Sequence, residues 1–295
     1  MKNRIQFILK AAVLLVLISS NSIFSQETPR YSDKQLDSIE YARATKKFPK
    51  FKFYVYSGGL FSVVDGSITV NNKLLGLGTK LDFDDNLKLP KDITTYTIGG
   101  YYNLGDKSTF SMYFLEMNQK SNLQLKDSVQ FGDYKFNGNA NFDFKLNISW
   151  FGFNYCYNIV SKPQIISGAS VGIRLFNIKT VGSGSVTSNN ETTQKSSENS
   201  MLAPGLLLGL SNKVFFLPKL LNRTSLEYFG IKVGTVRAEL FEARLAFEYY
   251  FFKNLGLGLL GMANILKVRS DSQEKFNGEV DYTFKGLSFY LIARF

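Results

Sequence analysis

The sequence predicts an all-β fold, an antiparallel transmembrane β-barrel of about ten strands, with eight strands as the structural alternative. Aromatic residues make up 15% of the chain, and 24 Gly accompany only 6 Pro, a composition that favours sheet over helix. Apolar residues recur at every second position through most of 51–295, which is the period of a strand. Beyond the first residues, no apolar run approaches the roughly 18 residues that a membrane-spanning helix needs.

The clearest strand pattern lies at 241–252, where one face is apolar and the other is charged. Odd positions carry Phe241, Ala243, Leu245, Phe247, Tyr249 and Phe251, and even positions carry Glu242, Arg244 and Glu248. In a membrane barrel the apolar face contacts lipid and the charges point into a narrow lumen. In a soluble periplasmic β-sandwich, the alternative architecture, the apolar face packs on a second sheet instead.

Ten segments show such alternation, and an even number is what a single-chain bacterial barrel needs. They are 51–63, 93–104, 109–125, 136–158, 165–179, 201–212, 224–233, 241–252, 255–267 and 276–295. The segments 109–125 and 224–233 have no clean parity, which keeps the eight-stranded alternative open. Short connections at 105–107, 161–164 and 253–254 contrast with long polar ones at 64–92 and 181–200, the asymmetry of periplasmic and extracellular barrel ends.

Two segments change parity partway along. Apolar residues occupy even positions from Phe142 to Trp150 and odd positions from Phe151 to Tyr157, and 280–295 behaves in the same way. A β-bulge shifts alternation by one residue, so we predict a bulge in each segment, near the level where the strand leaves the bilayer.

The N-terminal residues predict a secretory leader. Lys2 and Arg4 give a basic start, 11–18 form a short apolar core, and cleavage after Ser25 fits the requirement for a small residue. The chain is thus divided into a signal peptide at 1–25, a charged periplasmic segment with a short helix at 26–50, and the barrel at 51–295. This organisation predicts export through the inner membrane and residence in the outer membrane.

Composition excludes many activities. The chain has no His and a single Cys156, so Ser-His and Cys-His pairs, His-ligated metals and internal disulfides are absent, and we expect no enzyme, metal or cofactor. Asp82, Asp84 and Asn86 are spaced like the start of a calcium loop, but Leu87 stands where its turn glycine belongs, which favours a solvated acidic loop.

The predicted site is the lumen. Charges on inward faces are expected to form an ion-pair network that fills it, and they are Arg174, Lys232, Glu242, Arg244, Glu248 and Arg294. The predicted function is therefore a structural or binding role with long extracellular loops, and the alternative is a narrow channel or carrier for a small or apolar solute. The net charge of +11 is dispersed, which favours contact with outer-membrane lipid and lipopolysaccharide over nucleic acid. The oligomeric state stays open.

The last predicted strand carries a resemblance to a known class. Residues 286–295 read Gly-Leu-Ser-Phe-Tyr-Leu-Ile-Ala-Arg-Phe, which resembles the terminal strand of Gram-negative outer-membrane β-barrel proteins. The acidic stretch 78–85, Gly-Thr-Lys-Leu-Asp-Phe-Asp-Asp, resembles a segment after the first strand of many small, uncharacterised barrels. The resemblance implies recognition by the barrel-assembly machinery through Phe289, Leu291 and Phe295. It fixes class and location but no activity.

Overall fold

The computed structural model describes residues 51–72, 77–162, 164–188, 191–271 and 277–295. The predicted signal peptide 1–25 and periplasmic segment 26–50 lie outside these residues. The described chain forms thirteen strands: β1 (Phe53–Val70), β2 (Lys80–Asp82), β3 (Asp92–Leu104), β4 (Ser108–Gln124), β5 (Val129–Phe131), β6 (Tyr134–Phe136), β7 (Asn141–Ser161), β8 (Ile165–Ser188), β9 (Glu191–Leu217), β10 (Leu220–Val233), β11 (Val236–Tyr249), β12 (Leu255–Asp271) and β13 (Asn277–Arg294). No helix among the described residues is long and apolar enough to cross a membrane.

Ten long strands form one closed antiparallel ring. Each pairs with the next along the chain, and β13 pairs with β1 over its whole length to close the barrel. The short β2 lies beside β1, and β5 and β6 form a separate hairpin. The prediction of ten strands is confirmed, and both the eight-stranded alternative and the soluble two-sheet sandwich are wrong. A closed ring leaves no unpaired edge, as a sheet inside a bilayer requires.

The two ends of the barrel differ. Phe51, Phe295 and the tight turns after β3, β7, β9 and β11 lie at one end, called here the short-turn end, and the opposite end is the long-loop end. The predicted loop 181–200 is wrong, because β8 and β9 stay paired up to Ser188 and Glu191. Between β10 and β11 only a tight turn intervenes, with Gly234 at φ 59°, so the wall is tall at β8–β9 and low at β10–β11.

The predicted bulges behind the parity changes are also wrong. On β7 the even positions point inward without interruption from Phe142 to Asn158, and the register shifts only beyond Asn158. On β13 the inward positions run unbroken from Gly278 to Arg294, paired with β1 and β12 without a shift. Side-chain direction is therefore constant, and the change lies in which face is apolar.

The apolar residues change from the inner to the outer face because one part of the barrel is surrounded by water and the other by lipid. Towards the long-loop end, β7 buries Phe144 and Ile148 inside and exposes Asp143 and Lys145 outside. Towards the short-turn end, the inward residues are small or polar and outward Phe151 is exposed. We name the two parts the long-loop half and the short-turn half. The first has the polarity of a water-soluble protein, and the second that of a protein solvated by lipid.

The short-turn half carries a continuous outer belt of apolar side chains. Examples are Phe61, Leu208 and Phe289, which are 54%, 67% and 60% exposed. An apolar surface of this extent is far larger than monomeric soluble proteins present to water, so the belt fits contact with hydrocarbon.

An aromatic plug closes the interior of the long-loop half. Phe131 on β5 and Phe136 on β6 pack edge-on against Phe142 and Phe144 of β7, with ring centroids 5.0 to 6.3 Å apart. All four side chains are fully buried. Gly182 permits this approach, because a Cβ there would lie 2.8 Å from the rings of Phe131 and Phe142. The β5–β6 hairpin thus folds inward and fills the mouth of the barrel.

Candidate functional site

The interior of the short-turn half holds a buried cluster of four charges, called here the Arg174 cluster. Its members are Arg174 on β8, Glu227 on β10, and Glu242 and Arg244 on β11. Arg174 Nη2 contacts both Glu227 Oε2 and Glu242 Oε1, the latter at 2.8 Å. Glu242 Oε1 also lies 3.1 Å from Arg244 Nε. The cluster has two positive and two negative groups, so its charges balance.

Neutral groups complete the Arg174 cluster. Tyr113 OH donates to Glu242 Oε2 at 2.7 Å, and Arg174 Nη1 donates to Asn154 Oδ1 at 2.7 Å. The Arg244 guanidinium lies 3.5 Å from the centroid of the Tyr113 ring. The cluster and its partners on β4 and β7 thereby connect five strands across the lumen. A buried charged side chain is tolerated when an opposite charge and hydrogen-bonding groups surround it in this way.

A second group of residues, the Glu248 cluster, lies closer to the short-turn end. Glu248 Oε1 accepts from Arg223 Nε at 2.8 Å and from Tyr290 OH at 3.2 Å, while Oε2 accepts from Tyr250 OH at 2.7 Å. Glu248 is fully buried. Both oxygens of this carboxylate thus accept hydrogen bonds from side chains of the barrel.

Two further cations near the Glu248 cluster contact aromatic rings. Lys213 Nζ lies 5.0 Å from the Tyr54 ring and 5.0 Å from the Phe215 ring. Arg294 lies 3.6 Å from the Tyr250 ring, and its Nε donates to the Lys253 carbonyl at 2.9 Å. Neither cation has a carboxylate partner among the described residues, so this level of the lumen carries an excess of positive charge.

A cavity of about 110 Å³ lies between these clusters. One wall consists of basic, acidic and hydroxyl groups on β8 to β11, and the other of phenols, amides and hydroxyls on β1, β3, β4 and β7. Asn103, Asn158 and Asn212 line it and lie within a few residues of tight turns, so the cavity extends towards the short-turn end. A space of this size holds several water molecules or a small solute.

The structure places five of the six predicted lumen charges inside the barrel. Arg174, Glu242, Arg244, Glu248 and Arg294 point inward, and they fall into two groups instead of one network. The prediction for Lys232 is wrong. Lys232 is exposed on the outer face, as are Tyr228 and Gly230 at alternate positions of β10. The inward positions of this strand carry Arg223, Ser225, Glu227 and Phe229.

Sequence reasoning missed Glu227, Arg223, Lys213 and Tyr113. The sequence does indicate two of them. Arg223, Ser225 and Glu227 occupy alternate polar positions, and the apolar Leu226 and Tyr228 occupy the positions of opposite parity. Tyr113 gave no usable signal, because an aromatic residue on a barrel strand is equally typical of the lipid face.

Two side chains of the acidic segment 82–86 have partners within the chain. Asn86 Oδ1 accepts from the Asp82 amide at 2.8 Å, and Asp84 forms an exposed ion pair with Lys91 at 2.7 Å. The hydrogen bond from the Lys91 ammonium holds the pKa of the Asp84 carboxyl below its usual range. The described residues contain no group of three or more Cys, Asp or Glu placed to hold a metal ion.

The residues of the predicted assembly signal lie on the outer belt. Phe289, Leu291 and Phe295 are 60%, 56% and 62% exposed. The backbone of Phe295 also closes the seam of the barrel, because its N–H donates to Phe53 at 2.8 Å and its carbonyl accepts from Lys52 at 2.8 Å.

Comparison with known proteins assigns no function to the chain. No family model and no curated protein matches the chain. Among solved structures, the outer-membrane protease OmpT of Escherichia coli is similar over 84% of this chain and 100% of its own, with 10% identity and a TM-score of 0.44. The translocator domain of the autotransporter NalP of Neisseria meningitidis covers 89% of this chain and 95% of its own, with 11% identity and a TM-score of 0.43. The outer-membrane protein OprG of Pseudomonas aeruginosa covers 83% and 98%, with 13% identity and a TM-score of 0.35. Two of these three proteins are named as outer-membrane proteins.

Proposed function

We propose that the protein is an integral outer-membrane β-barrel with a filled lumen, and that it serves a structural or binding role through its long-loop half. The observation that carries this proposal is the inversion of polarity along the barrel. Apolar side chains close the interior of the long-loop half, so that half offers its polar outer wall and its tip to water, while the belt of the other half meets lipid.

The orientation follows from the connections. Tight turns are typical of the periplasmic side of outer-membrane barrels and longer connections of the outside. On this basis the long-loop half projects from the cell. Lys179, Lys232 and Lys285 are exposed on the outer face just beyond the apolar belt, at the height of lipid head groups. Their ammonium groups suit the phosphates of lipopolysaccharide, which we propose as the surrounding lipid of that leaflet.

The proposed role is not enzymatic. The absence of His from the whole chain supports this, since it removes Ser-His and Cys-His nucleophiles and His bases. The buried carboxylates of the lumen also lie on the short-turn side of the aromatic plug, away from anything that approaches the long-loop end.

Conductance separates this proposal from the alternative of a narrow channel or carrier. We expect the protein, reconstituted in a planar lipid bilayer, to show no steady single-channel steps, because the aromatic plug and the Arg174 cluster obstruct the axis. Steady openings that disappear in Arg244→Leu would contradict the filled lumen and favour the channel. A porin of known conductance serves as the control for reconstitution.

Assembly in the outer membrane is proposed to depend on Phe295. Deleting Phe295 removes the backbone hydrogen bonds that close the seam as well as an exposed apolar side chain. We expect a clear drop in the yield of heat-modifiable, protease-resistant barrel. Phe252→Ala, an equally exposed Phe at the same end, is the matched control and should assemble normally. A deletion variant that assembles at wild-type level would refute the assembly signal.

A further inference from the structure

Two like charges face each other inside the barrel. Lys213 of β9 and Arg223 of β10 are direct cross-strand partners, and both point inward over the ring of Tyr54, each 5.0 Å from its centroid. Directly opposed side chains have Cβ atoms roughly 5 Å apart, and like charges in that position destabilise a sheet. Both side chains of the pair line the cavity of about 110 Å³. Arg223 has Glu248 as its counter-ion, so Lys213 is the cation of the pair that requires solvation or a further anion.

The next row of the sheet extends the cationic wall. Ser211, Ser225 and Arg244 form one cross-strand row beside Lys213 and Arg223, and all five side chains line the cavity of about 110 Å³. Three basic groups and two hydroxyls therefore converge on one side of the space. The opposite wall supplies phenol and amide donors from Tyr56, Tyr101, Asn103 and Asn154.

The carboxylates near the cavity are already engaged. Glu227 is bound by Arg174 and accepts from Ser170 Oγ at 3.4 Å. Glu248 accepts from Arg223 Nε, Tyr250 and Tyr290. In contrast, Arg223 Nη2 is buried without a hydrogen-bond partner among the described residues, and Lys213 Nζ lies 5.0 Å from the centroids of two aromatic rings. The lining thus holds more positive than negative charge.

From this geometry we propose that the cavity is a binding site for a small oxyanion, a phosphate or a small carboxylate, which enters from the short-turn end. The anion accepts from Lys213, Arg223 and Arg244 and from the hydroxyls of Ser211 and Ser225. The volume excludes large or polymeric anions and admits a molecule of a few heavy atoms. The inference goes beyond the proposed function, because it concerns the periplasmic side of the lumen and requires no passage through the plug.

The test measures stability against added anion. Full-length protein purified from membranes in a neutral detergent is unfolded with urea in chloride, inorganic phosphate or acetate at equal ionic strength. A ligand that binds the folded state raises the unfolding midpoint in a saturable way. We expect such a rise with phosphate or acetate over chloride, and the larger of the two identifies the preferred oxyanion.

Two matched variants locate the effect. Lys213→Met is expected to weaken the apparent affinity about tenfold or more, since a charged hydrogen bond is lost. The same variant should be at least as stable as the wild type in chloride, because it removes one of two opposed cations. Lys145→Met, which removes an equal charge from the exposed outer wall of the long-loop half, should respond to phosphate like the wild type. A wild-type midpoint that phosphate and acetate leave at its chloride value, or an unchanged response in Lys213→Met, would overturn the proposal.

Discussion

Replacing Arg174 with leucine is expected to lower the free energy of unfolding by about 3–5 kcal/mol, the cost of leaving buried charges without their partner. Arg174 is fully buried and contacts both Glu227 and Glu242, which are themselves cross-strand partners. Without the guanidinium, two buried carboxylates face each other with only Arg244 and Tyr113 left to compensate. The loss should therefore exceed the value of one ordinary hydrogen bond several times over.

The measurement is a urea titration in detergent, followed by the fluorescence of Trp150, the one Trp of the chain. Trp150 is buried two residues along β7 from Gly152, the cross-strand partner of Arg174. Its ring lies 4.5 Å from that of Phe176. Arg269→Leu is the matched control, because Arg269 forms an exposed ion pair with Glu279 and should cost less than about 1 kcal/mol. Adding Glu227→Gln and Glu242→Gln to Arg174→Leu should restore part of the stability. Equal stability of Arg174→Leu and Arg269→Leu would show that the cluster does not hold the barrel together.

The second large effect is expected in the long-loop half. Phe142→Ala should cost about 3–5 kcal/mol, because it opens a cavity in a packed aromatic core. Phe142 is fully buried and contacts the rings of Phe131, Phe136 and Phe144. Its loss should also release the β5–β6 hairpin, which we expect to become accessible to protease.

A comparison along β7 makes this prediction a test of the polarity inversion. Phe151 points outward on the belt, where lipid fills the space that a truncated side chain leaves, so Phe151→Ala should cost roughly 1–2 kcal/mol, the transfer contribution alone. Asp143→Ala, next to Phe142 but on the water-exposed wall, should change stability by about 0.5 kcal/mol or less. If Phe142→Ala cost no more than Phe151→Ala, the packed core of the long-loop half would be disproved.

The sequence predicts the barrel well because a period of two is visible in most of the long strands. The ten segments, the tight turns and the closed antiparallel order follow from that period and from chain connectivity. The prediction of bulges is wrong for a physical reason. Alternation shows which residues share a face of the strand, but whether the apolar face points inward or outward depends on the solvent outside the barrel. On β7 the solvent changes between Trp150 and Phe151, whereas a bulge follows from the sequence pattern only if one solvent surrounds the whole strand.

The interior was only partly accessible to sequence reasoning. Glu242, Arg244 and Glu248 stood out because they interrupt an apolar pattern on one parity. Lys232 was misassigned because β10 lacks a clean parity, and its inward face is fixed only by pairing with β9 and β11. The pairing of Lys213 with Arg223 depends on the register of two strands after an irregularity at Leu220 and Leu221, which no local pattern reveals.

The tall wall of β8 and β9 determines how far the protein reaches. With 27 residues in β9, a rise of roughly 3.3 Å per residue and a tilt near 40°, the wall stands about 70 Å high, of which an apolar band of about 25 Å lies in the bilayer. The tip of this wall thus lies some tens of ångströms above the membrane, and it is supported by hydrogen-bonded strands and not by a flexible segment. Whatever docks there meets a preorganised target, because the entropy of ordering that segment was lost when the chain folded and need not be lost again on contact.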